Sequence, residues 1–265
     1  MTLINTIRKS NNEGKSCLIT YVTAGDPDID TSYKILESLS NNGADIIELG
    51  IPFSDPISDG PTIQKASERA LSNKITIPIA LDMIKKFRRS YQTPIIVFGY
   101  FNPFLQYGLK KVMKDIRKVG AEGVLIVDLP PEESFETQLA ADYAGLELVY
   151  LLAPTSTKER IGFVSKLSNS FIYLVSVTGV TGVRKKLDKN LQSFIANIKQ
   201  KTNKPVCVGF GISEPAHVKQ LKTKCDGIVI GSAIISIIEN NLRKKGQIIS
   251  KISNFISKIK KSTFI

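Results

Sequence analysis

Eight short apolar runs, rich in β-branched residues, recur along the whole 265-residue chain and limit the folds that it can adopt. The runs are residues 17–25, 45–53, 94–101, 123–130, 147–154, 171–177, 205–212 and 227–234. Most are continuously apolar, which is typical of strands covered on both faces of a parallel sheet. The stretches between them have helical periodicity, as at Leu191, Phe194 and Ile198. Repeated strand–helix units predict an α/β fold with right-handed crossovers.

The number of runs favours a closed (β/α)8 barrel, a TIM barrel, over an open sheet. An open dinucleotide-binding sheet is the alternative, but no Gly-x-Gly-x-x-Gly follows the first run. Residues 2–11 predict an extra N-terminal helix at the closed bottom of the barrel, and residues 233–239 a short extra helix after strand eight. Since no linker or low-complexity segment interrupts the pattern, we expect residues 1–265 to form a single domain.

Composition narrows the class of protein. The net charge of +12 owes much to a basic C-terminal segment in which isoleucines recur at helical spacing. This pattern predicts an amphipathic helix with a solvated lysine face and no nucleic-acid surface. No apolar run approaches the ~20 residues of a membrane span, and residues 1–15 lack a secretory apolar stretch. We therefore expect a soluble protein in the cytoplasm, or in the plastid stroma if the gene is plastid-encoded.

Cysteine and histidine usage gives no sign of a metal site. Cys17, Cys207 and Cys225 have no Cys-x-x-Cys spacing, so we interpret them as small hydrophobic residues of a reduced compartment. The one histidine, His217, lies in a polar helical segment and is expected to be exposed to solvent. A metal centre is therefore not expected.

Two carboxyl groups lie at the second apolar run. Glu48 is flanked by apolar residues within the run, so its carboxyl group must be buried in the barrel or among helices. Burial raises the pKa of a carboxyl group and suits it to proton transfer near neutral pH, although a structural glutamate paired with a cation is the alternative. Asp59 follows in a loop, where Asp-Gly-Pro is equally compatible with a simple turn. Because barrel enzymes react at the carboxyl ends of their strands, both are candidate catalytic residues.

Three glycine-containing turns follow the last three predicted strands and suggest a phosphate site. Glycine lets backbone N–H groups approach an anion closely. The pair Gly231-Ser232 also opens the short extra helix, with Ser232 predicted as its N-cap. The candidate phosphate-binding residues are Gly182, Gly211, Gly231 and Ser232.

The stretch ELGIPFSDPISDGPTIQ at residues 48–64 closely resembles the signature of the tryptophan synthase α chain family. Further similarity is found, in order, in TAGDP at 23–27, DLPPEE at 128–133, SVTGVTG at 176–182, GFGIS at 209–213 and GSAI at 231–234. The resemblance covers essentially the full chain. It implies a lyase that splits indole-3-glycerol phosphate into indole and glyceraldehyde 3-phosphate by retro-aldol cleavage.

The resemblance also implies roles for individual residues. Glu48 matches the family's acid/base residue, and Asp59 matches the carboxylate that accepts a hydrogen bond from the indole N–H group. Tyr173 matches the active-site tyrosine, with a core tyrosine as the alternative, and Thr181 belongs to a loop that closes over the ligand. The candidates for the apolar indole slot, some of which would simply fill the core, are Tyr21, Phe98, Tyr100, Leu125, Val127 and Phe210.

The resemblance implies no cofactor in this chain and pyridoxal phosphate in a partner β subunit, within an αββα heterotetramer. Asp55, Pro56 and the turn at 102–105 are the expected contacts with that partner. Alternatives remain. One alternative is a different phosphate-binding barrel enzyme. A metal-dependent epimerase of that kind needs more than one histidine, and this chain has a single one. Indole-3-glycerol-phosphate synthase needs a catalytic lysine near the end of an early strand, and none is placed there. A non-catalytic barrel that acts as an allosteric partner is the other.

Overall fold

The computed structural model describes residues 2–175, 189–209 and 211–265, and over these residues eight parallel strands close into a barrel. Each strand pairs with the next, and β8 pairs with β1. The strands are β1 (Cys17–Thr23), β2 (Ile46–Gly50), β3 (Ile95–Gly99), β4 (Gly123–Ile126), β5 (Glu147–Leu152), β6 (Ile172–Val175), β7 (Val206–Gly209) and β8 (Gly227–Ile230). Every predicted apolar run contains one of these strands, so the predicted (β/α)8 TIM barrel is confirmed.

Helices surround the barrel in the described part of the chain. They are α1 (Leu3–Asn12), α2 (Ile29–Asn41), α3 (Pro61–Ser72), α4 (Ile77–Phe87), α5 (Phe101–Tyr107), α6 (Leu109–Lys118), α7 (Phe135–Ala144), α8 (Lys158–Leu167), α9 (Lys189–Lys199), α10 (Pro215–Leu221), α11 (Ser232–Glu239) and α12 (Ile248–Ser262). Short 3-10 helices cover Pro131–Glu133 and Leu242–Gln247. The short extra helix predicted after strand eight is α11, and no helix of these ranges is both long and apolar enough to cross a membrane.

Helix α1 closes the amino-terminal end of the barrel, as predicted. The backbone N–H of Leu3 donates to Glu147 Oε1 at 2.7 Å, at the start of β5. The Leu3 side chain also lies over Gly123 at the start of β4, where an added Cβ would come within 2.6 Å of it. Because α1 blocks this end, the open end of the barrel is the one where the strands finish.

The strand register determines which side chains share the barrel interior. Tyr21 pairs with Glu48 across β1 and β2, and Tyr173 pairs with Cys207 across β6 and β7. Side chains alternate between the two faces of a strand, so the positions two residues away along each strand also point inward. Cys207, like the other two cysteines, is buried and free, which confirms their interpretation as small hydrophobic residues.

The C-terminal helix α12 is amphipathic, as its spacing predicts. Ile248, Ile252, Ile256 and Ile259 are fully buried along one face. At the far end of α12, Lys260 Nζ lies 2.5 Å from Asp45 Oδ2, and the same oxygen accepts the Leu18 N–H at 2.7 Å. The basic segment is therefore a structural helix that is tied, through Asp45, to the starts of β2 and β1.

The prediction that His217 is exposed to solvent is wrong. Its side chain is 2% exposed, and its Nδ1 accepts the backbone N–H of Ser213 at 3.4 Å. Val218 and Leu221 are buried on the same face of α10. The polar residues that suggested an exposed helix lie on its other face, so the expectation was wrong because burial here depends on what α10 packs against.

Candidate active site

A cleft opens at the carboxyl ends of the strands, with about 520 Å³ of empty space that is partly open to solvent. Its described lining contains two carboxyl groups and no lysine or arginine. The lining residues are Tyr21, Glu48, Asp59, Ile63, Phe98, Tyr173, Gly211, Ile212, Ser213, Val229, Gly231, Ser232 and Ala233. The cleft thus brings the two predicted acidic residues together with two of the three predicted glycine turns.

Glu48 reaches this cleft from the middle of β2, whose apolar neighbours pack on the helices outside. Its side chain is 1% exposed, and its Oε1 has no hydrogen-bond partner among the described residues. Burial raises the pKa of the Glu48 carboxyl group from the ordinary 4.5 to about 8. Glu48 therefore carries a proton at neutral pH, as the burial argument from sequence predicts.

Asp59 lies in the loop after β2 and is held there by Tyr100 at the end of β3. The Tyr100 hydroxyl accepts the backbone N–H of Ser58 at 3.0 Å and hydrogen-bonds to the Asp59 carboxylate. Gln64 donates to the Asp59 carbonyl at 2.9 Å, which fixes the loop to α3. Burial raises the pKa of Asp59 to about 6, and the Tyr100 hydrogen bond opposes this shift. Asp59 is therefore mostly ionised at neutral pH, when Glu48 is still protonated.

Two tyrosines line the cleft, and each lies over a glycine. A Cβ added to Gly50 would lie 2.3 Å from the Tyr21 hydroxyl oxygen, and one added to Gly209 would lie 2.3 Å from that of Tyr173. Tyr21 also packs edge-on against Phe98, with ring centroids 5.2 Å apart. Burial raises the pKa of both tyrosines well above 10, so both are neutral. The missing side chains at Gly50 and Gly209 make room for the two rings.

The end of the cleft formed by Gly211, Gly231 and Ser232 suits an anion. Gly211 has a φ of +77°, a left-handed conformation that favours glycine, and it lies beside the start of α11. The first turn of a helix leaves backbone N–H groups unpaired, and the first turn of α11 contains no acidic residue. The N-cap of this helix is Gly231, with Ser232 as its first residue, so the prediction of Ser232 as N-cap was off by one position.

The remaining predicted site residues are placed differently. Leu125 is fully buried in the barrel core, and Tyr100 lies behind Asp59 and is not part of the cleft lining. Val127 lines a second cleft, beside the loops after β4 and β5. Thr181, Gly182 and Phe210 lie outside the described residues.

Several residues of the lining were not predicted as site residues from the sequence. Val229 and Ile212 lie at or just after strand ends, and that position could have identified them. Ile63 comes from the first turn of α3 and was recognised only as part of the family motif at residues 48–64. Ser213 was recognised only as part of a family motif and not as a lining residue.

A sequence model of the tryptophan synthase alpha chain family matches residues 7–264. The chain belongs to this family. It is 45% identical over 256 residues to the tryptophan synthase alpha chain of Geotalea daltonii, which covers 97% of this chain and 96% of the relative. The solved tryptophan synthase subunit alpha of Legionella pneumophila superposes with a TM-score of 0.91 at 34% identity, covering 99% of this chain and 98% of that one. A tryptophan synthase structure from Mycobacterium tuberculosis gives a TM-score of 0.92 at 28% identity, with 99% and 98% covered.

Membership of the tryptophan synthase alpha chain family makes the chain a lyase of tryptophan biosynthesis. The α reaction of this family is the cleavage of indole-3-glycerol phosphate, after which indole passes to the β subunit. The function implied by the sequence motifs is thereby confirmed at the level of the family.

Proposed function

We propose that Glu48 and Asp59 divide the chemistry of indole-3-glycerol phosphate cleavage between them. The observation that carries this proposal is the buried Glu48 carboxyl group, whose Oε1 is unpaired within the described chain and whose pKa is near 8. Because it is protonated at neutral pH, Glu48 can donate a proton to C3 of the indole ring. Protonation of C3 interrupts the aromaticity of the five-membered ring and makes indole a possible leaving group.

Asp59 supports the same step from the other side of the ring. Positive charge develops on the indole nitrogen when C3 takes up the proton. A carboxylate that accepts a hydrogen bond from the indole N–H stabilises this charge, and Asp59 is mostly ionised above pH 6. Tyr100 favours the ionised form through its hydrogen bond to the carboxylate. Two carboxyl groups with separated pKa values are a general arrangement for acid and base roles.

Glu48 then completes the reaction as a base. Once it has given its proton to C3, its carboxylate takes the proton of the side-chain hydroxyl as the carbon–carbon bond breaks. The electrons of that bond return to the indole ring and restore its aromaticity, and the hydroxyl carbon becomes the aldehyde of glyceraldehyde 3-phosphate. The proton count on Glu48 is the same before and after the reaction, so no co-reactant is required.

We further propose that the substrate phosphate binds at Gly211, Gly231 and Ser232, where the described cleft offers N–H groups and no cationic side chain. The indole ring would then lie against Tyr21 and Phe98, near the carboxyl groups. Gly182 and Thr181 keep their predicted roles in phosphate binding and loop closure as proposals, because they lie outside the described residues. Phe210 keeps its predicted place in the indole slot on the same basis, and Tyr173 keeps its own because it lines the cleft, whereas Leu125 and Val127 do not line it.

Indole release from purified chain and indole-3-glycerol phosphate tests the assignment. We expect Glu48→Gln to abolish release, and Asp59→Asn to lower kcat more than it raises KM, because the carboxylate acts in the transition state. Glu136→Gln, at an exposed position on α7, is the matched control and should behave as wild type. If Glu48→Gln retains wild-type turnover, the proposed proton transfer is wrong.

We propose that the chain works with a pyridoxal-phosphate-bearing β subunit in an αββα heterotetramer and needs no cofactor of its own. Apolar side chains are exposed on the loops around the cleft, where indole must leave: Ile57 is 84% exposed, and Leu105 on α5 is 48% exposed. Asp55 is exposed beside Ile57, in the region that the sequence predicts as a partner contact. Large apolar side chains exposed beside a cleft are candidates for a protein interface.

Adding the β subunit to the indole-release assay tests whether Ile57 belongs to the interface. Ile57→Asp should reduce the acceleration of indole release by β while the rate of the isolated chain stays within about twofold of wild type. Tyr143, near the end of α7, is 95% exposed and serves as the control position. Tyr143→Ser should leave the acceleration by β unchanged. Equal acceleration of all three proteins would place the interface elsewhere.

We also propose a cytoplasmic location, or the plastid stroma for a plastid-encoded chain, and a single barrel domain. The three cysteines are free and buried, which supports a reducing compartment. The single closed barrel of eight strands supports a single domain.

A further inference from the structure

Ser213 is a polar residue in the cleft to which the proposed chemistry gives no task. It follows β7 as the third residue of the turn that begins at Gly211, and it lines the cleft with Gly231 and Ser232. Its Oγ is buried and has no hydrogen-bond partner among the described residues. A buried hydroxyl without a partner is unfavourable, so its persistence in a cleft suggests that a ligand pairs with it.

The distribution of such unpaired atoms supports this interpretation. In the described ranges, the buried side-chain atoms without a partner are Ser38 Oγ, Glu48 Oε1 and Ser213 Oγ. Ser38 lies on α2, away from the cleft, whereas Glu48 and Ser213 both line it. Glu48 is the proposed proton donor. Ser213 lies with the glycine turns, at the end of the cleft that suits an anion.

His217 decides which group of Ser213 can face the ligand. The imidazole Nδ1 accepts the Ser213 backbone N–H at 3.4 Å, so this N–H is directed at the His217 side chain on α10. The imidazole is buried, and Leu221 packs on the same helix face one turn later. With its amide already used, Ser213 has only its hydroxyl to offer to a bound anion.

We propose that Ser213 is a further phosphate-binding residue, whose hydroxyl donates a hydrogen bond to a phosphate oxygen of the substrate. His217 is the corresponding positioning residue, because it holds the turn that carries Ser213. The described lining has no lysine or arginine, so each N–H or O–H donor there contributes a large share of the binding. This inference rests on the proposed location of the phosphate at this end of the cleft.

Competitive inhibition of indole release by inorganic phosphate and by indole separates the two ends of the cleft. In Ser213→Ala we expect the inhibition constant of phosphate and the KM of indole-3-glycerol phosphate to rise about tenfold, as for one lost hydrogen bond to a charged group. The inhibition constant of indole and kcat should stay within about twofold. Ser213→Thr, which keeps the hydroxyl, should restore most of the phosphate affinity.

Ser38→Ala is a matched control, because it also removes a buried serine hydroxyl without a partner in the described chain, but on α2. It should leave both inhibition constants unchanged. The proposal is overturned if Ser213→Ala binds phosphate as wild type does, or if its affinities for phosphate and indole fall equally. Calorimetric titration with inorganic phosphate keeps the result independent of turnover. Failure of wild-type cleavage would therefore affect the proposed function and not this inference.

The role of His217 is tested by a pair of variants. The Oδ1 atom of asparagine takes a place close to that of the histidine Nδ1, so His217→Asn keeps an acceptor for the Ser213 N–H, whereas His217→Leu keeps the apolar volume and removes the acceptor. We expect only His217→Leu to raise the inhibition constant of phosphate severalfold, with kcat within about twofold of wild type. Equal loss in both variants would reduce His217 to a packing role and overturn its assignment as a positioning residue.

Discussion

Replacing Glu48 by glutamine should change how the stability of the protein depends on pH. The carboxyl group has a pKa of about 8 in the folded protein, because it is buried, against an ordinary value of 4.5. Between these pH values the folded chain keeps a proton that the unfolded chain releases. The contribution of Glu48 to the unfolding free energy of the wild type is therefore fully present below pH 4.5, and it is lost as the pH rises towards 8.

The size of the effect follows from the same two values. A difference of one bound proton corresponds to a loss of about 1.4 kcal/mol of unfolding free energy per pH unit. The loss contributed by Glu48 reaches about 3 kcal/mol at pH 7 and about 5 kcal/mol above pH 8. Glutamine cannot ionise and escapes this loss. The buried glutamine amide lowers the unfolding free energy by the same amount at every pH. The test therefore compares how the unfolding free energy changes with pH in the two proteins, and not its absolute value.

Urea unfolding of the wild type and Glu48→Gln between pH 5 and pH 8.5 measures this difference. We expect the variant to gain stability relative to wild type steadily as the pH rises, and the gain to level off above about pH 8. Glu136→Gln, which replaces an exposed glutamate on α7, controls for the loss of one negative charge and should run parallel to wild type. A constant offset between wild type and Glu48→Gln across the whole range would show that the folded protein does not hold a proton on Glu48 in this pH range.

Three further predictions concern the surroundings of the site. Burial raises the pKa of Asp59, and the hydrogen bond from Tyr100 partly offsets this rise. Tyr100→Phe removes that hydrogen bond, so the pKa of Asp59 should rise above 6. The acid limb of the kcat/KM profile should then move to higher pH by roughly one unit, and an unmoved limb would contradict the pairing. Gly50→Ala places a Cβ 2.3 Å from the Tyr21 hydroxyl oxygen. It should cost about 1–3 kcal/mol in thermal or urea unfolding, and Tyr21→Phe in the same chain should recover part of that loss. No recovery would mean that the strain lies elsewhere. Lys260→Met breaks the half-buried ion pair between α12 and the start of β2. It should lower the free energy of unfolding by about 1–3 kcal/mol while the KM stays unchanged, and a changed KM would show that α12 influences the cleft.

Local patterns in the sequence were sufficient for much of the architecture. Each strand was visible as an apolar run, because a strand buried on both faces needs apolar side chains at nearly every position. The environment of Glu48 followed from its own neighbours within such a run. The glycine turns were also local signals, and the cleft brings Gly211 and Gly231 together beside the carboxyl groups. For these residues a few adjacent positions carry the information.

Other predictions depended on contacts that no short segment contains. Tyr100 and Asp59 are 41 positions apart, and the hydrogen bond between them exists only because β2 and β3 are neighbours in register. Leu125 and Val127 looked equivalent as strand-end residues, yet one fills the core and the other lines a second cleft. His217 looked exposed because its neighbours are polar, and it is buried because α10 turns that face inward.

Local sequence patterns were therefore enough to predict the barrel, the barrel end that carries the cleft, and a glutamate that keeps its proton because it is buried. The tertiary structure alone decided which side chains share the cleft: the ring of Tyr21 over Gly50, the hydroxyl of Tyr100 on Asp59, and the unpaired hydroxyl of Ser213. The physical reason is one of range. Hydrophobic periodicity and turn chemistry act over a few residues, whereas a site in a closed barrel is assembled by strand register from residues that lie far apart along the chain.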